Sequence, residues 1–121
     1  MRFAVVNHNW PVAHLDLFLE QDGVLRAWRL PADYQPGDVC EAVQRHDHRL
    51  AYLDYVGPVS GDCGTVSRWD AGELEWLSET EQRIEVRLSG SRLYGDFALI
   101  LMEAGNWCFV PVTSPSPARR L

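Results

Sequence analysis

The run HLDLFLEQDGVLRAWRLP, residues 14–31, decides the fold. Leu15, Leu17 and Leu19 alternate with His14, Asp16, Phe18 and Glu20, and a second apolar run, Val24–Pro31, follows Asp22-Gly23. A period of two is the mark of a half-buried strand, because successive side chains point to opposite faces. Asp-Gly between two such runs predicts a tight hairpin turn, whose left-handed positions Asp and Gly tolerate at low cost. Working outward, short segments of the same kind lie at Arg2–Asn7, Leu50–Val56, Thr65–Trp69, Ile84–Leu88, Phe97–Glu103 and Trp107–Val112. Gly90-Ser91, Gly95-Asp96 and Ala104-Gly105-Asn106 punctuate the second half. Only Leu74–Gln82 offers a helical alternative. The pattern predicts an all-β chain, a single compact β-barrel of about eight mostly antiparallel strands over residues 1–112. Closure removes the exposed edges that an open sheet would leave. The end Thr113–Leu121, with Pro115, Pro117 and Arg119-Arg120, reads as a disordered tail. No internal repeat is present.

A chain of 121 residues fits one domain with a single core. Cys40, Cys63 and Cys108 are odd in number and lack CxxC spacing, which predicts reduced packing thiols rather than a disulfide framework or thiolate zinc site. The opening MRFAVVNHNW lacks the apolar run of a signal peptide, and no stretch approaches the roughly 20 apolar residues that span a bilayer. A cytoplasmic protein without a membrane partner is expected. The net charge of −6 excludes a generally basic nucleic-acid binder. All eleven cationic side chains are arginines, so a nucleic-acid substrate needs a local patch drawn from Arg26, Arg29, Arg45, Arg49 and Arg68. Such binding should be weak and salt-sensitive.

The four histidines all precede residue 49, in two groups: His8 and His14 with Asp16, then His46 with His48. On a strand, His14 and Asp16 share a face about 6.5 to 7 Å apart along the backbone, so both can reach one ion. The loop Asn9–Val12 can fold His8 toward them. Two imidazoles and a carboxylate leave coordination positions open for water and a phosphoryl oxygen, as catalytic sites do. A hydrogen-bonded His–Asp pair on an exposed strand face satisfies the same local pattern. His46-Asp47-His48 likewise fits a polar strand end or loop as well as a ligand set.

Taken together, His8-x5-His14-Leu15-Asp16 through Asp22-Gly23 and Trp28-Arg29-Leu30-Pro31 resembles the opening motif of the DNA ligase D 3′-phosphoesterase family. Pro36-Gly37-Asp38, the run Asp47–Gly57 and Gly64-Thr65-Val66-x2-Trp69-Asp70-x-Gly72 resemble its middle section. Leu88-Ser89-Gly90-x2-Leu93-x-Gly95-Asp96-Phe97-Ala98-Leu99 and Asn106-Trp107 resemble its end. The resemblance covers roughly residues 3 to 112 and implies a stand-alone, divergent member with a compact β-barrel. It implies a divalent metal, manganese above all with zinc or iron also suited, at His8, His14 and Asp16. It further implies trimming of DNA 3′ ends, including RNA-tipped ends, by removal of a terminal ribonucleoside and then the 3′-phosphate. His48 falls on a histidine that contacts the reacting phosphate and Tyr52 on an active-site tyrosine; Arg29 is a candidate phosphate ligand. A separate DNA ligase or polymerase polypeptide is a candidate partner.

The departures from the family pattern are as informative. Phe18 stands where the family carries arginine, Ala32 where it carries lysine, Cys40 at a third basic position, and His46 in place of a glutamate. Losing a cation beside a transferring phosphoryl group costs on the order of 10² to 10³ in rate. Two readings therefore stand beside each other: an active metal-dependent phosphoesterase, and a catalytically degenerate relative that serves as a metal- or partner-binding module. A small-molecule enzyme of cupin type fits poorly, because the glutamate and second-motif histidine of that family are missing.

Overall fold

The computed structural model describes residues 1–113. Asp22 and Gly23 both adopt left-handed conformations, with φ of 51° and 82°, and form the expected turn. They join β2 (His14–Gln21) to β3 (Val24–Pro31) in a register running from Gln21↔Val24 to His14↔Pro31. The other strands are β1 (Arg2–His8), β4 (Cys40–Arg49), β5 (Gly57–Pro58), β6 (Thr65–Glu79), β7 (Arg83–Ser89), β8 (Tyr94–Leu101) and β9 (Trp107–Pro111). Their order around the sheet is β1-β2-β3-β4-β9-β8-β7-β6, and β6 pairs back onto β1. Eight antiparallel strands thus close into a barrel, as expected, and β5 attaches to β6 as an extra strand.

Three local expectations change. Leu50–Val56 is not a strand: Leu50–Leu53 form a 3₁₀ helix that drops Leu53 into a buried position. The strand next to β3 is Cys40–Arg49, where polar residues from Gln44 to Asp47 hide the alternation. Leu74–Gln82 is not helical, because Leu74–Glu79 extend β6 and pair with β7 around a register shift between Trp76 and Ser78. The shift breaks the period of two and leaves a segment that mimics a weak helix. The expected disordered tail lies, apart from Thr113, outside the described residues.

The interior is filled by Phe3, Val5, Leu15, Leu17, Leu19, Trp28, Leu30, Leu99 and Phe109 among others. A second, smaller cluster lies on the outer wall: Ala4, Val6, Phe18, Leu25, Ala27 and Leu53, with Tyr52 and Val66 against it. The 3₁₀ helix covers this patch, held by an Arg2–Asp54 ion pair at 2.5 Å and by the Arg68 guanidinium donating to the Leu53 carbonyl at 3.3 Å. β1 and β2 are consequently apolar on both faces at mid-length, and His8, His14 and Asp16 lie together at one end of the pair.

Buried Asp70 accepts hydrogen bonds from the backbone N–H groups of Ser91, Arg92 and Leu93 at 2.8 to 3.1 Å, fixing the β7–β8 turn. Gly90 permits this contact, since a Cβ there would stand 2.4 Å from an Asp70 carboxylate oxygen.

Candidate metal and phosphate site

The antiparallel register of β1 and β2 sets His8 opposite His14, and their rings meet edge to face with centroids 5.0 Å apart. Asp16 stands two residues along β2 on the same outward face, opposite Arg29 of β3. The three ligand atoms offered by His8, His14 and Asp16 lie within 4.8 Å of one another. The candidate site therefore sits on the outer wall of the barrel, not in its mouth.

Backbone carbonyls fix both imidazoles. His14 Nδ1 lies 2.7 Å from the Val12 carbonyl and His8 Nε2 lies 2.9 Å from the Cys63 carbonyl. A carbonyl only accepts, so these nitrogens carry the protons. In the neutral rings the lone pairs are left on His14 Nε2 and His8 Nδ1. Those atoms lie 3.2 and 3.8 Å from the same oxygen, Asp16 Oδ2. Two lone pairs and a carboxylate, largely buried and turned on one another, repel unless a cation or protons lie between them. Two nitrogens and one oxygen suit manganese, iron or zinc.

The loops holding these carbonyls interlock. Asn9 Oδ1 accepts from the Thr65 N–H at 2.8 Å, and its amide donates to the Thr65 hydroxyl. Gly64, at φ 77°, lies so close that a Cβ would stand 2.3 Å from Asn9 Oδ1 and 2.6 Å from Trp10 Cβ. The sequence offered Gly64 as a resemblance position only; its close approach to Asn9 depends on two loops that are distant along the chain.

His8 and Asp16 line a cavity of about 300 Å³ together with His46, His48, Phe18 and Tyr52. His48 Nδ1 donates to the His46 carbonyl at 2.9 Å, which leaves Nε2 as the free ring nitrogen. The His48 ring stacks on His46 (4.7 Å, 9°), packs on Phe18 (5.0 Å) and meets Tyr52 edge-on (5.5 Å). Burial depresses the His48 pKa below its ordinary 6.5, and the neighbouring His46 lowers it further against the hydrogen bond to the His46 carbonyl, so the ring is neutral at pH 7. His48 and Tyr52 are thus gathered beside the triad. Tyr55, Val59 and Val66 also line the cavity; Tyr55 and Val59 flank β5 after the 3₁₀ helix, and Val66 of β6 stands opposite His8 in register, a proximity the sequence alone does not reveal.

The arginines do not converge. Arg26 pairs with Glu79 at 2.5 Å and lies over the Trp28 and Trp76 rings; Arg68 props the 3₁₀ helix. Arg29 Nε is buried 3.9 Å from Asp16 Oδ1 without a hydrogen-bond partner among the described residues, which places it beside the carboxylate. Arg49 lines the cavity, and among the described residues neither it nor Arg45 forms an ion pair. Where cations were lost, Phe18 is buried in the outer cluster and Cys40 packs against the interior, its thiol pushed up to about 12 by burial and by nearby Cys108. Ala32 borders a gap of about 130 Å³ beside His8 and His14.

An all-β barrel with a His, His, Asp cluster on its outer wall is the class that fold and site define. Residues 6–101 match the family described as the DNA Ligase D 3′-phosphoesterase domain. The chain is 32% identical over 110 residues to the multifunctional non-homologous end joining protein LigD of Pseudomonas aeruginosa, covering 83% of this chain and 13% of that protein. It is 31% identical over 123 residues to the LigD protein of Mycolicibacterium smegmatis, covering 88% and 16%, and 30% identical over 114 residues to that of Mycobacterium bovis, covering 87% and 15%. The chain belongs to the DNA ligase D 3′-phosphoesterase domain family and spans about one sixth or less of the length of these relatives. Among the described residues, no helix is long and apolar enough to cross a membrane.

Proposed function

We propose that this chain is a divalent-metal-dependent phosphoesterase acting on nucleic-acid 3′ ends, with manganese as the preferred ion. The observation that carries this reading is the convergence of two carbonyl-fixed imidazoles and Asp16 beside a cavity that also presents a neutral imidazole, His48. A bound ion supplies charge for a phosphoryl oxygen and acidifies water. The chain's own groups supply the rest. His8, His14 and Asp16 hold the ion, and Arg29 steadies the carboxylate. His48 Nε2 accepts a proton from the attacking water and returns it to the leaving oxygen, a role that its lowered pKa suits at neutral pH. The relatives' names place those proteins in non-homologous end joining, and we assign this chain to DNA end repair alongside a ligase or polymerase activity. Incubation of the purified protein with manganese and a primer-template ending in a ribonucleotide or a 3′-phosphate tests the activity, with Asp16→Ala as control. Unchanged ends at high enzyme concentration count against it.

A second reading, a non-catalytic module that retains the ion, is favoured by one observation: the positions of the lost cations are filled by packed side chains, Phe18 against His48 and Cys40 against the core. It predicts manganese uptake without turnover. Phe18→Arg combined with Ala32→Lys should then create activity, and continued inactivity of that double variant would weigh against this account.

A further inference from the structure

Beside the triad cavity lies a second hollow of about 400 Å³, lined by Arg49, Ala51, Tyr52, Tyr55, Pro58 and Val59 with Ser60. The two hollows share Arg49, Tyr52, Tyr55 and Val59, so they adjoin. From the triad outward the aromatic rings form a chain: Phe18 and His48 at 5.0 Å, His48 and Tyr52 at 5.5 Å, Tyr52 and Tyr55 at 6.4 Å. Tyr55 is part exposed, and its hydroxyl donates to the Pro58 carbonyl, which orients the ring at the wall of the hollow. Such a wall of aromatic and apolar side chains stacks on a flat ring of any identity, whereas it does nothing for a bare phosphate.

Resting on the phosphoesterase reading above, we propose that the Tyr52–Tyr55 hollow holds the nucleobase of the 3′-terminal nucleoside. In the reaction water adds to phosphorus, the P–O5′ bond breaks, the nucleoside leaves with a proton on O5′, and the monoester product remains on the strand.

Titration calorimetry with the dinucleoside monophosphate ApA and with adenosine 3′-methylphosphate, in chelator and again in manganese, tests the base site directly. The expected result is about tenfold tighter binding of ApA, the scale of one base stacked on an aromatic ring. Tyr55→Leu and Val59→Trp, one removing the ring and one filling the hollow, should each erase that difference, while Tyr55→Trp should retain it. Thermal unfolding identifies any variant that fails to fold. Equal binding of the two ligands, or discrimination that survives both Tyr55→Leu and Val59→Trp, overturns the proposal. Base-dependent binding with no hydrolysis of any substrate would instead uphold the base site and refute the phosphoesterase reading.

Discussion

His8 and His14 each give one ring nitrogen to a backbone carbonyl and turn the other toward Asp16 Oδ2. With both rings neutral, the carboxylate ionised and no ion present, this arrangement is repulsive and costs stability. Asp16→Asn should raise the melting temperature of the chelator-treated protein by about 4 °C, equivalent to about 1 kcal/mol, and abolish the further rise that manganese gives the wild type. An unchanged or lower melting temperature without metal would show that the triad is not strained. His48 gives a pH prediction. Its folded pKa is depressed below 6.5 by burial, so the unfolded chain binds the proton more readily. The stabilisation is fully present above about pH 6.5 and is lost as pH falls through the folded value. His48→Gln should flatten stability against pH in that window, and the wild-type His48 ring resonances should titrate below 6.5 by NMR. The triad was legible because its members lie within nine residues on one hairpin face. The tautomers were not, since they depend on the Cys63 carbonyl, 55 positions from His8.

At the scale of elements, the hairpins that build the site depend on close approaches between loops. Gly64→Ala places a methyl group into Asn9 and Trp10 while its backbone stays left-handed. The expected cost is about 1 to 3 kcal/mol. Because the neighbouring Cys63 carbonyl orients His8, manganese affinity should fall by more than tenfold, read by calorimetry. An undiminished affinity would show that His8 does not depend on this loop. Elements carrying a clean period of two, such as β2, β3 and β7, were readable to within a residue or two of their ends. Leu50–Leu53 misled because apolar residues over four positions fit a strand or a turn, and tertiary demand decided: Leu53 covers the outer cluster, and Arg2 and Arg68 pin the segment. β6 misled because its bulge displaces the pattern midway.

Across the whole molecule, acidity and a scattered set of arginines limit electrostatic grip on nucleic acid. Arg26 and Arg68 are engaged in structure, leaving Arg45 and Arg49 as the cations nearest the cavity that lack an ion pair among the described residues. The logarithm of affinity for a single-stranded 3′ end should fall against the logarithm of salt with a slope between about −1 and −2, measured by fluorescence anisotropy. A slope steeper than about −4 would overturn this picture of dispersed arginines. The barrel was legible from strand count and turn spacing, but the dispersal of the arginines was not, since one-dimensional proximity to polar motifs carries no direction.

The wall of this barrel is two-sided, and along β1 and β2 inward residues such as Phe3, Val5, Leu15 and Leu17 answer to packing while His8, His14, Asp16 and Phe18 answer to whatever meets the outside. The same backbone therefore carries two nearly independent inscriptions in alternating letters. Residues on the outer text, such as Phe18 where relatives carry a cation, can change with little effect on the inner one, and a reaction lost or rewritten in this way would leave the scaffold ready to accept another.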